Sequence, residues 1–209
     1  MKKYILLLFV LAAWHSVIAQ NYYRDGVPVT SDGITFDVEL DKYLFCLSNI
    51  ENSRTNVANW RYKEDGREIE TEEEFDKVVF DLYDANMVAK VFKDTFTPME
   101  IAAFKRLPAS PMKIYYVFGS DGNVLEVSFI MDSIPEFLSI PPVRYARLEK
   151  NLKKHIRAYL NSFAQQMEFV GGGQIIGFRL IDEQAAAAGT SLGPDKPIDP
   201  LLPDEGGRQ

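Results

Sequence analysis

Residues 112–131 constrain the fold more than any other part of this 209-residue chain. Ile114, Tyr116 and Phe118 share one face of a first strand, and Leu125, Val127, Phe129 and Met131 one face of a second. Asp121-Gly122 lies between the two runs as the turn. Period-two alternation on both sides of an Asp-Gly pair specifies an antiparallel hairpin. An earlier run repeats the pattern: Ile34, Phe36, Val38 and Leu40 alternate with Thr35, Asp37, Glu39 and Asp41, after the turn signals Asp25-Gly26 and Asp32-Gly33. Residues 43–47 are apolar but too few for periodicity to choose between strand and helix turn.

Helical spacing fills much of the remainder. Thr71 with Glu74 three residues on reads as a capping box, and Glu72, Glu73 and Glu74 complement the helix dipole. Phe75, Val78, Val79 and Leu82 follow as a stripe that Ala85, Ala89 and Phe92 continue, so residues 71–107 read as a helical middle segment. Within it Thr97-Pro98-Met99-Glu100 marks a second helix start, and Pro108 and Pro111 an end. Residues 142–166 carry Tyr145, Leu148, Leu152, Ile156, Tyr159 and Phe163 in a narrow arc, which predicts one long amphipathic helix. Gly171-Gly172-Gly173 reads as a flexible connection before a last strand over 174–182. From residue 183 the Ala run and four prolines between Pro194 and Pro203 read as a disordered tail, 183–209. The expected fold is α+β, one domain over 20–182. It comprises a small antiparallel sheet, a helical middle segment and a carboxy-terminal ββαβ unit packed by the long helix.

Lys2 and Lys3, an apolar run over 4–14 and Val17-Ile18-Ala19 make residues 1–19 a secretory signal peptide. The run is shorter than the ~20 residues that span a bilayer. With no Cys at the cut, the expected product is exported, periplasmic or extracellular, and not lipid-anchored. Removing 1–19 takes away Lys2, Lys3 and His15 but no acid, leaving 21 basic against 30 acidic side chains, a net charge of −9. That charge argues against nucleic acid as a partner. His155 and Cys46 are then the only His and Cys, so neither a Cys/His zinc site nor an internal disulfide can be assembled, and no cofactor or metal is expected.

The order hairpin, helix, strand over 112–182 resembles TonB carboxy-terminal-like domains, through residues 117–129 (Val-Phe-Gly-Ser-Asp-Gly-Asn-Val-Leu-Glu-Val-Ser-Phe). Together with Ile140-Pro141-Pro142 and residues 145–150 (Tyr-Ala-Arg-Leu-Glu-Lys), it also resembles small secreted proteins of unknown function from Bacteroides-type bacteria. The resemblance implies the ββαβ fold and a habit of binding proteins, and it brings no catalytic residues. An energy-transducing role does not carry over, because the leader is a cleavable signal and the proline-rich part is carboxy-terminal.

The basic side chains Arg144, Arg147, Lys150, Lys153, Lys154 and Arg157 share the half of the long helix opposite its apolar stripe, with only Glu149 in opposition. They form either a solvated face balancing the acidic segment 64–76 or a contact for an envelope protein or anionic surface. His155 reads as a core-rim residue and Cys46 as a buried, inert thiol; a Cys46/His155 dyad would need the two to meet. Glu70, Glu72, Glu73, Glu74 and Asp76 are the carboxylates from which a glycosidase-type pair could come. Two functional classes follow. The first is a non-enzymatic binding module of the cell envelope; the alternative is a carboxylate-dependent hydrolase of cell-wall or glycan substrates. A homodimer through edge strands of the hairpin is a third expectation.

Overall fold

Alternation sets the sheet. The structure, a computed structural model, describes residues 22–54, 60–107 and 112–188. Residues 1–19, expected as a signal peptide, and most of the expected tail lie outside the described residues. Strands β1 (Val29–Ser31), β2 (Ile34–Leu40), β3 (Leu44–Asn49), β5 (Met112–Gly119), β6 (Val124–Asp132) and β8 (Phe169–Ile175) form one antiparallel sheet in the order β1-β2-β3-β6-β5-β8. Strands β4 (Phe80–Leu82) and β7 (Ala158–Leu160) form a separate antiparallel pair. The chain is thus mixed α+β, with a large sheet and several helices. Of residues 43–47, Leu44 to Leu47 are strand, within β3, and Tyr43 precedes it. Both hairpin strands are internal to the sheet, which removes the expected dimer through hairpin edges.

The hairpin turn is as expected, with Gly122 at φ +76°. Its inward faces differ at one place. The register shifts between Val117, which faces Glu126, and Phe118, which faces Val124. The extra residue Leu125 is pushed outward and Val124 takes its buried place.

The helices lie on one face of this sheet. Helix α1 (Glu72–Lys77) is followed by α2 (Ala85–Thr95), α3 (Pro98–Lys105), α4 (Pro135–Leu138), α5 (Pro142–His155) and α6 (Ile181–Ala187). At α3 the capping box is complete: Thr97 accepts from the Glu100 N–H and Glu100 from the Thr97 N–H. At α1 it is half made, because the Glu74 carboxylate accepts instead from Glu70 N–H and Arg67. The continuous stripe expected over 75–92 is broken. Helix α1 stops at Val78, the chain runs extended through β4, and Asp84 caps a new helix by accepting from the Asn86 N–H at 2.9 Å.

The long helix likewise ends at His155, eleven residues short of Gln166. Beyond it the backbone finds partners elsewhere: the Ala158 N–H donates to Gly122 O (2.9 Å) and the Tyr83 N–H to Arg157 O (2.9 Å). The triple glycine is strand, not connection, for all three residues pair with β5. A Cβ at Gly171 would meet the Tyr115 hydroxyl, at Gly172 the Phe80 ring, and at Gly173 the Lys113 stem, so glycine is required for those side chains to lie across the strand. Residues 178–187 are helical where a strand and then a tail were expected, because Phe178 and Ile181 are buried against the helix layer.

The contact between Gly122 and β7 is the tightest glycine constraint. Replacing Gly122 with Ala strains a positive φ and drives a Cβ into the Ala158 carbonyl oxygen. Gly26→Ala, at φ +66° with open space around it, meets only the strain. Urea unfolding is expected to show G122A destabilised by at least about 2 kcal/mol and G26A by about 1 kcal/mol.

Candidate functional site

Helix α5 turns its stripe of Tyr145, Leu148 and Leu152 into the core as its spacing requires. Glu149 faces inward with them and is fully buried, which corrects its placement among the exposed basic residues. Its Oε1 accepts from Asn49 Nδ2 (2.9 Å) on β3 and from Lys153 Nζ (2.6 Å), while Oε2 has no hydrogen-bond partner among the described residues.

The six basic side chains then divide. Arg144 donates to Thr95 O (3.2 Å) and lies 3.5 Å from Glu100, tying α5 to the α2–α3 turn. Lys153 serves Glu149. Arg157 lies past the helix end and donates to the carbonyls of Lys153 and Ile156. Lys150 reaches the Asp32 carboxylate (2.9 Å) and carbonyl (2.6 Å) across the β1–β2 turn but stays exposed. Arg147 and Lys154 face solvent. The structure therefore assigns half of the set to internal contacts and leaves Arg147, Lys150 and Lys154 outward.

The other sequence candidates separate. Cys46 points to the sheet face away from the helices and His155 closes α5 on the opposite face, so no dyad forms. Burial, reinforced by Glu39 and Asp41, pushes the Cys46 thiol up and keeps it protonated. Burial, then Lys154 and Lys90, lowers the His155 pKa and favours the neutral ring. Among the carboxylates at α1, Glu73 pairs with Lys77 (2.9 Å). Glu74 takes hydrogen bonds from Arg67, the Glu70 N–H and Tyr62, which hold its pKa down at about 2. A general acid needs a raised pKa, the reverse of this.

Sequence reasoning missed the outer sheet face. The register brings Glu39, Cys46, Ile130, Lys113 and Ile175 into one row, and Asp37, Ser48, Ser128, Tyr115 and Gly173 into the next. Residues 52–54 cross one end: Asn52 donates to Val127 O (2.9 Å), and buried Glu126 accepts from the Ser53 and Arg54 N–H groups and the Arg54 guanidinium. At the other end, Leu44 is 41% and Ile175 66% exposed, with Cys46, Ile130 and Tyr115 half-buried between and beside them. These residues lie on β3, β6, β5 and β8, and only the order of strands, which local alternation does not give, brings them to one face.

Two tests follow from these geometries. Lys153→Met leaves a buried carboxylate with Asn49 alone and is expected to cost about 1–3 kcal/mol in urea unfolding, against less than ~0.5 kcal/mol for Lys154→Met. Because the Glu74 pKa is depressed, the stabilisation it carries is present above its ordinary range and lost as pH falls toward about 2. Carboxyl-detected NMR titration should show Glu74 still ionised well below the usual carboxylate range, with Arg67→Ala returning it toward that range.

No protein-family model and no curated protein sequence matches the chain. Among solved structures, it is similar to a DUF5043 family protein from Bacteroides uniformis, with a TM-score of 0.59 and 18% sequence identity over 74% of this chain and 86% of that one. That likeness is one of fold, and it agrees with the resemblance to Bacteroides-type proteins. The TonB-like likeness gains nothing from it and rests on the sequence motifs alone. Among the described residues no helix is long and apolar enough to cross a membrane.

Proposed function

We propose that this chain is an exported, non-enzymatic binding module of the bacterial cell envelope, and that it holds a protein partner against the uncovered end of its sheet. Export rests on the leader pattern of residues 1–19. Binding rests on one observation: among the described residues, a six-stranded sheet whose helices cover one face leaves Leu44, Cys46 and Ile130 as a joined apolar stripe on the other, with exposed Ile175 on the far side of Lys113. Scattered exposed apolar residues are ordinary, but a contiguous stripe rimmed by charge is the composition of a docking surface. Register supplies the contiguity of Leu44, Cys46 and Ile130, since the neighbouring strands β3 and β6 lie about 5 Å apart, while Ile175 stands two strands beyond Ile130 with Lys113 between.

The outward cations of α5 support a second contact, with an anionic surface. In a chain of net charge −7, Arg147, Lys150 and Lys154 gather on one helix and face solvent. Such contacts contribute up to about 1 kcal/mol each. The hydrolase alternative loses ground at Glu74, whose environment suits an ion pair rather than proton donation.

Crosslinking capture from native envelopes tests the reading. Leu44→Glu with Ile175→Glu places charge on exposed positions in and beyond the stripe and should lower recovery of specific partner proteins about tenfold or more. Arg147→Glu with Lys154→Glu should leave those partners and lower association with anionic vesicles. Equal recovery of the same proteins by the wild type and the stripe variant would overturn the sheet-face assignment.

A further inference from the structure

The stripe has neighbours of one sign. Along β2, Asp37 and Glu39 point to the same face as Cys46, and Glu39 stands directly opposite it in the register. On the other side of β3, Asp132 stands opposite Leu44. All three acids are exposed. The apolar residues of β3 therefore lie in a shallow trough with carboxylates on both banks. Lys113, in the row beyond Ile130, is laid flat, its stem passing over Gly173 toward the β8 edge. The field at the centre of the trough is negative: after burial itself, Glu39 and Asp41 are what raise the Cys46 thiol pKa.

Resting on the docking surface proposed above, we propose that the trough recognises a cationic, amphipathic segment of the partner. Its apolar side chains would cover Leu44, Cys46 and Ile130, and its Lys or Arg side chains would reach Glu39 and Asp132. Charge decides between occupants. An acidic or neutral segment would bury apolar surface equally well but would bring like charge to both banks or leave them unpaired, and like-charge juxtaposition costs several kcal/mol. The chain's own residues 189–209 carry Leu192, Ile198, Leu201 and Leu202, but four acids against two bases, the wrong sign for these banks. A second copy would bring the same acidic banks to face themselves across a two-fold axis.

Cys46 is the single cysteine of the chain and lies at the bottom of the trough, which makes its alkylation rate a local reporter. The probes are a synthetic peptide of alternating Leu and Lys and its counterpart of alternating Leu and Glu, with an uncharged maleimide as reagent. With the Leu/Lys peptide at about ten times its Kd, labelling of the purified protein should slow about tenfold. The Leu/Glu peptide should leave the rate unchanged. Glu39→Lys with Asp132→Lys, both at exposed positions, should abolish protection by Leu/Lys. Equal or better protection by Leu/Glu would overturn the charge assignment while leaving the docking surface standing. No protection by either peptide, together with full partner recovery by the Leu44→Glu and Ile175→Glu variant, would overturn both. A faster basal rate after Leu192, Leu201 and Leu202 are replaced by Ser would make the tail the occupant and overturn the proposal.

Discussion

Tyr145 is the point through which the layers of this protein are joined. Its ring lies 5.7 Å from Phe129 on β6, 6.2 Å from Phe45 on β3, 6.3 Å from Phe96 after α2, and 6.1 Å from Tyr23 at the described amino end. Its hydroxyl donates to Phe137 O at 3.2 Å, so α4 is fixed by the same side chain. Edge-on and tilted ring contacts of this kind add to plain burial, and the buried phenol still needs its hydrogen bond. Burial holds that phenol protonated far above the usual tyrosine range. The docking of α5 then decides everything downstream. It draws Arg144 toward Glu100 and Lys153 toward Glu149, and it commits the helix layer to one face of the sheet.

That commitment explains why the two buried carboxylates stand on opposite sides. Glu149 is held on the helix side by Asn49 and Lys153, and Glu126 on the outer side by the backbone of residues 53–54 and Arg54. Each fixes the stretch that follows β3. Asn49 ends that strand under α5, and the segment beyond it folds back over β6 to reach Glu126. Burying a carboxylate is costly unless it is hydrogen-bonded; Glu126 takes its bonds from residues 53–54, and Glu149 from Asn49 at the strand end and Lys153 one turn along α5. The polar groups thus specify where the chain leaves the sheet, and therefore how much of the outer face stays uncovered.

The elements that the sequence made legible are those whose periodicity and partners agree. Strand β2, the Asp121-Gly122 turn, the Thr97 capping box and the α5 stripe as far as Leu152 all behave as their local patterns require. Residues 156–163 show where local pattern runs out. Ile156, Tyr159 and Phe163 fit a helix, while Ile156, Ala158 and Leu160 fit a strand. Gly122 and Tyr83, distant in sequence, settle the matter by taking the backbone hydrogen bonds. The break between α1 and α2 has the same origin, since β4 exists only because β7 is there to pair with it. The triple glycine was misleading for a different reason. Glycine in a strand usually signals weakness, but here it makes room for Phe80, Tyr115 and Lys113. Of the site, the basic residues were legible as a cluster; which of them are consumed internally was not, because Glu100 and Thr95 reach Arg144 only through the tertiary fold, and Glu149 holds Lys153 as a buried carboxylate only because α5 packs that side inward.

Charge is consequently sorted across the sheet. The cations of α5 lie on the helix side, and Asp37, Glu39 and Asp132 lie on the outer side of β2 and β6. Neither group pairs with the other, because the sheet and its aromatic core stand between them. Screening within about 8 Å at physiological salt makes each face act on what approaches it rather than on the other. On the binding-module reading, this polarity gives the two faces different work. A protein resting its α5 cations on an anionic layer turns its acidic trough away from that layer, toward whatever cationic segment is presented from the opposite side. The same one-sided packing around Tyr145 that stabilises the fold would then orient the surface it leaves open.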